Sequence, residues 1–226
     1  MSTVLAAALS AFLLVAASLV WRNRRRHAHE RFINQFDYAR LLDARLAKKR
    51  PELNSRQRQA VFQALAEYFH LCRMAGRRMV SMPSQVVDDA WHEFILFTRN
   101  YESFCQKALG RFLHHVPAES MASPTQAQDG IKRAWRLACL REGINPRLPQ
   151  RLPLLFSIDR ELGIADGFHY VPDCNGRVSR SDVSGTVYCG SHIGCGSGCG
   201  SGCGGGCGGS SDSGSSCGGG GCGGGD

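Results

Sequence analysis

Acidic residues are the scarcer charge in this chain, 19 against 27 Lys and Arg, and no cation follows Arg180. Strand signals are scarcer still. Only residues 168–171 and 186–188 show even a brief β-prone run, which argues against a domain built on sheets. No aromatic-rich strand motif and no zinc-finger spacing accompanies the positive charge, so nucleic acid is not the expected partner. The paired C-x-x-C of a zinc knuckle is missing, and no complete catalytic constellation can be read. Of the eleven cysteines, three (Cys72, Cys105 and Cys139) lie in the helical part and the rest from Cys174 onward. An odd number, mostly within a glycine tract, does not read as a disulfide framework.

Glycine, by contrast, is abundant and confined. Residues 174–226 form a Gly/Ser/Cys-rich, low-complexity tail in which Cys195, Cys199, Cys203 and Cys207 repeat every four residues, with Cys217 and Cys222 beyond. Glycine at that density loses too much chain entropy on ordering to fold unaided, so the tail is expected to be disordered. These six thiols could wrap a soft metal or crosslink in an oxidising compartment. Upstream, His169, Cys174, Cys189 and His192 are spaced loosely enough to make a Cys2His2 site only a remote option.

At the other end, Val4 to Trp21 is an uncharged apolar run of 18 residues, about 27 Å long as a helix against a hydrocarbon core of roughly 30 Å. Arg22, Arg24, Arg25 and Arg26 follow it and no cation precedes it, the reverse of a cleaved signal peptide. The expectation is a transmembrane anchor over residues 1–21 and a basic juxtamembrane segment over 22–30. By the positive-inside rule, the rest of the chain would face the cytoplasm, as in a single-pass protein of a bacterial inner membrane. Membrane lipid would then be a partner through the helix and its basic flank, with a protein partner also open.

Residues 31–173 are expected to form a small all-α bundle. Apolar residues recur at helical spacing from Glu30 to Lys49, then at Val61, Leu65, Phe69 and Cys72, and again at Ile131, Trp135, Ala138 and Cys139. Asn54 or Ser55 can cap the second stripe and Gly76 can close it. His70, beside that stripe, reads as a surface or satisfied histidine rather than a ligand. A short helix is expected over 157–162.

The stretch from Pro83 to Pro117 is the organising one. Ser84 reads as an N-cap, and Val86, Val87, Ala90, Trp91, Phe94, Ile95 and Phe97 make the helix apolar on most sides, hence central. Asp88 and His92 are four apart and share a face, so a carboxylate can orient an imidazole or join it on a metal. His114 and His115 could complete a zinc-like donor set. A straight helix to Leu109 would put Leu109 about 25 Å from His92, and residues 110–114 could return only about half of that, so the metal reading needs a break. Thr98 or Asn100 could supply it by capping a helix from near Tyr101. Cys105 reads as a small core residue. Structural roles for Asp88, His92, His114 and His115, and metal-free acid/base chemistry, stay open beside the metal.

VVDDAWHEFILFTRNYESFC followed by GRFLHHVP resembles the glycine-rich domain-containing protein-like family, which combines a VD-x-x-WH helix, a later Tyr-x-x-Phe-Cys and an HH-x-P ending. The matching positions are Asp88, Trp91, His92, Tyr101, Cys105, His114, His115 and Pro117, within a likeness spanning at most residues 32–117. A second histidine often stands two after the first in that family, where this chain has Phe94. The resemblance implies no reaction. Three functions stay open: a membrane-anchored helical binding or scaffold protein with a thiol-rich tail, a metal-dependent hydrolase or lyase using the Asp/His cluster, or a surface protein crosslinked through its tail.

Overall fold

A computed structural model describes residues 2–115, 124–172 and 187–194, with the side chains of 2–8, 124–127, 187, 192 and 194 outside that description. The chain order is α1 (Ser2–Gln35), α2 (Tyr38–Lys49), α3 (Ser55–Ala75), α4 (Gln85–Ile95), α5 (Thr98–Leu109), α6 (Pro124–Glu142), α7 (Leu154–Glu161), β1 (His169–Val171), β2 (Val187–Cys189) and α8 (Gly190–Gly194). The domain is therefore helical, as its periodicities indicate. The two brief β-prone runs meet as a parallel pair, with Tyr170 opposite Tyr188.

One part of the expected architecture is overturned. Among the described residues no helix is long and apolar enough to cross a membrane. The apolar side chains that are described run from Leu9 to Trp21, which as a helix is about 20 Å before Arg22, against a hydrocarbon core of roughly 30 Å. Residues 4–8 of the run lie outside the described side chains. Leu9, Phe12, Leu14 and Trp21 are each more than half exposed. The expected lipid partner and inner-membrane location rested on that anchor. The tail thiols from Cys195 to Cys222 lie outside the described residues.

The start of the bundle also differs from the periodic reading of one helix over 30–49. The first helix continues to Gln35, and the chain then breaks because the Asp37 side chain accepts the Arg40 amide at 3.1 Å and so caps α2. Tyr38, Leu42 and Leu46 form the buried stripe of α2. Asn54 and Gln57 close a capping box at the head of α3, where each side chain accepts the other residue's backbone N–H. Phe36, Tyr38, Phe69, Phe94 and Phe104 pack as one aromatic cluster, with Phe69–Phe104 and Phe36–Phe104 centroids 4.7 and 4.8 Å apart. That cluster contains Phe94 of α4, so the Trp-His helix is central.

Two charged side chains on α4 and α7 were not legible as core residues. Asp89 is buried and paired with Lys49 at 3.0 Å and Arg50 at 2.5 Å, and Arg50 also bonds Asp166 at 2.6 Å, which ties α4 to α2 and to the segment after α7. Asp159 is buried behind the N-terminus of α4. At the far end of the bundle Gly190 lies so close to Trp135 that an added Cβ would come within 2.4 Å of the indole.

His70 is neither at the surface nor fully satisfied. It is 1 % exposed, its Nε2 lies 2.7 Å from Asn34 Oδ1, and its Nδ1 has no hydrogen-bond partner among the described residues. Burial pulls its pKa down to about 4; Arg141 and Arg73 lower it further, and Glu67 and Glu30 act against them. Because the folded value lies below the unfolded one, the unfolded chain takes up a proton first as pH falls. Stability is therefore expected to drop between about pH 6.5 and 4, by on the order of 3 kcal/mol from this group, and to level off below. Urea unfolding of the native chain and of His70→Gln across that range checks it: the difference between the two should vary with pH, and a constant difference refutes the assignment.

Candidate metal centre

The sequence of α4 sets two of the candidate ligands. Its N-cap Ser84 accepts the Val87 amide at 3.2 Å, and from that start Asp88 falls in the first turn and His92 in the last. One turn apart, they meet. His92 Nδ1 is 2.8 Å from the Asp88 carbonyl and 3.2 Å from Asp88 Oδ2. Asp89, the next residue, points about 100° away on the helix and is held in the α2 salt bridges, so the acidic pair divides between two tasks.

The break demanded by the spacing argument is present. Helix α4 ends at Ile95 and α5 starts at Thr98, a few residues before the expected start near Tyr101. Its N-cap is Phe97, with no side-chain capping bond, so neither Thr98 nor Asn100 serves as the cap. Packing explains this: Phe94, Tyr101 and Phe104 join the aromatic cluster, and the turn falls where those rings can all enter it. At the other end Gly110, at φ 69°, turns the chain out of α5 in the left-handed region that glycine enters freely.

The returning segment then brings one histidine of the pair to the site. His115 Nε2 lies 3.3 Å from Asp88 Oδ1, and the His92 and His115 rings are 4.2 Å apart between centroids. Donor atoms of Asp88, His92 and His115 all fall within 4.8 Å of one another. His114 does not take part; it is exposed and stands edge-on to Phe112 at 4.8 Å, because consecutive residues of an extended segment face opposite ways. The expected four-residue set thus becomes three.

The centre is half open. Exposure of the side chains falls from 44 % for His92 through 24 % for Asp88 to 17 % for His115. Its inner wall is Trp91, 4.6 Å from the His115 ring and itself buried. Two nitrogens and a carboxylate are a donor set suited to zinc and similar ions. Donors around a tetrahedral zinc stand about 3.3 Å apart for bonds near 2 Å; here His92 is 3.2 Å from one carboxylate oxygen of Asp88 and His115 3.3 Å from the other. Without an ion, His115 hydrogen-bonds the carboxylate, while His92 Nδ1 is hydrogen-bonded to the Asp88 carbonyl and stands beside Oδ2.

The cysteines near the site are not candidates. Cys72 and Cys105 are free and fully buried, and burial raises both thiols, Cys72 to about 12. The remote Cys2His2 option loses Cys189, which is disulfide-bonded. Cys174 and the His192 side chain lie outside the described residues.

No curated protein and no solved structure matches this chain. A family model does: the uncharacterised UCP032817-like family matches residues 28–193, from the last turns of α1 into α8 and past residue 173, where the helical domain was expected to end. That match spans well over half of the chain, and the protein therefore belongs to the UCP032817-like family.

Proposed function

We propose that this chain is a metal-binding helical protein in which Asp88, His92 and His115 hold one divalent transition ion, zinc being the best fit to two imidazoles and a carboxylate. The observation that carries this reading is the convergence of His115 on the Asp88–His92 pair across 27 residues of chain, at separations of 3.2 and 3.3 Å from the carboxylate. Three protein donors leave a coordination position for water, the composition of a hydrolytic zinc site. The chemistry favoured is metal-assisted hydrolysis or a related lyase reaction, with the exposed His92 side as the approach. The motif shared with the glycine-rich domain-containing protein-like family supports a common role for the same residues, since Trp91 packs on His115 and Tyr101 hydrogen-bonds Trp91 behind it.

A second reading, a binding or scaffold protein, draws on the burial of Trp91 and the low exposure of His115. There the ion would act as a clasp between α4 and the segment after α5.

The tail thiols would confuse a metal measurement, so they are alkylated first on the full chain. Cys72 and Cys105 should escape because they are buried and protonated. The expected result is one zinc per chain, lost in His92→Ala/His115→Ala and kept in His114→Ala. Zinc binding by the double variant equal to the native chain would refute the centre. In the cobalt(II) form, a spectrum that responds to azide marks an exchangeable position and the hydrolytic reading. A spectrum blind to azide favours the clasp.

A further inference from the structure

Two of the three ligands need no help to find each other, since Asp88 and His92 are adjacent turns of one helix. The third does. His115 lies on a segment with no regular secondary structure, beyond Gly110, and a ligand displaced by more than about 0.5 Å serves poorly. Arg111 ties the start of that segment to the Gly76 carbonyl and the Leu113 backbone meets Cys105, but the tie that reaches both ligand-bearing stretches of chain is a phenolic oxygen. Tyr101 Oη donates to the Leu113 carbonyl at 2.6 Å and accepts the Trp91 indole N–H at 3.1 Å. The hydroxyl is thus a node joining α4, α5 and the returning chain. Both sides of the node lead to the ligands: Trp91 precedes His92 and stands edge-on to His115, and Leu113 lies two residues before His115.

The node is dry. Tyr101 is 1 % and Trp91 4 % exposed. Phe94 and Phe112 stand edge-on to the phenol at 5.3 and 5.5 Å. Burial also raises the Tyr101 hydroxyl well above its ordinary value, so it remains a donor throughout the working range of pH. In such surroundings the indole N–H and the Leu113 carbonyl have no water to turn to if the hydroxyl is removed, and the segment must shift to solvate them.

We propose that Tyr101 is the positioning residue of the metal centre, acting through the Trp91–Tyr101–Leu113 hydrogen bonds to hold His115 against Asp88. It touches neither ion nor substrate. The proposal rests on the metal reading above, and the test separates the two.

Cobalt(II) is titrated into the alkylated full chain, following both affinity and the visible ligand-field spectrum. In Tyr101→Phe, which keeps the ring and removes the hydroxyl, affinity is expected to fall about 10- to 100-fold, as for other residues that orient ligands. The spectrum at saturation should change as well, because the donor geometry is altered. Tyr38→Phe is the control: it also deletes a buried phenol hydrogen bond, from Tyr38 Oη to the Ile33 carbonyl at 3.3 Å, which joins α2 to α1 and touches neither α4 nor the returning segment. It should leave affinity and spectrum at native values. If Tyr101→Phe does not fold, Trp91→Phe removes the other half of the node and should weaken binding in the same direction. Native affinity and spectrum in Tyr101→Phe, or equal losses in Tyr38→Phe, would overturn the positioning role while leaving the centre intact. A native chain that binds no cobalt would instead overturn the centre itself.

Discussion

Asp159→Ala is expected to lower the stability of the protein by about 4 kcal/mol, and its thermal midpoint by roughly 10 °C for a chain of this size. The Asp159 carboxylate is 2 % exposed. Its Oδ1 accepts the Ser84 hydroxyl at 2.6 Å and the Val86 amide at 3.2 Å, and its Oδ2 accepts the Gln85 amide at 2.7 Å and the Phe168 amide at 2.9 Å. Gln85 and Val86 open α4, so two of the N–H groups that every helix leaves unpaired at its start are satisfied from α7. The negative charge also sits at the positive end of the α4 dipole. Removing it strands four donors together, in a place water does not reach. Asn should be nearly as harmful as Ala, because an amide would aim N–H groups at donors on one side. Chemical denaturation followed by circular dichroism measures the loss; a change below about 1 kcal/mol would show that these bonds contribute little. Since α4 carries Asp88 and His92, metal affinity should weaken in parallel.

The second large effect is the response to zinc. A ligand at a hundred times its dissociation constant stabilises the native state by about 2.7 kcal/mol, equivalent here to roughly 5–10 °C in the midpoint. That gain is expected in the alkylated full chain and should vanish in His115→Ala, which leaves α4 intact and removes the donor that closes the set. It should also shrink in acid, where protons compete with the ion for the imidazoles and the carboxylate. Scanning calorimetry with and without zinc provides the check. An equal shift in the native chain and in His115→Ala would place the stabilising ion elsewhere.

Much of the centre was legible before any coordinates. The i, i+4 spacing of Asp88 and His92, the Ser84 cap and the need for a break near Thr98 all follow from helix geometry, and each is present. The histidine pair was readable only as a pair. Which of the two turns inward depends on the path of residues 110–115, which the Tyr101 hydroxyl meets at Leu113 across a turn that no periodicity describes. The apolar residues of Val4–Trp21 were equally plain, yet among the described residues they form no span of the expected length. Asp159 gave no signal at all: in sequence it is one acid in a short helix, 75 residues from the hydroxyl it accepts.

By itself, then, the chain's order of residues determined its helical class, the caps of α3 and α4, the stops of α2 and α3, the central place of the Trp-His helix and the pairing of Asp88 with His92. These are decided within a turn or two of backbone, where only a few neighbouring side chains compete. The choice of His115 over His114, the division of Asp88 from Asp89, the burial of His70 and the burial of Asp159 under α4 were decided only in three dimensions. Each depends on which distant element arrives beside it, and that is settled by packing the whole core at once.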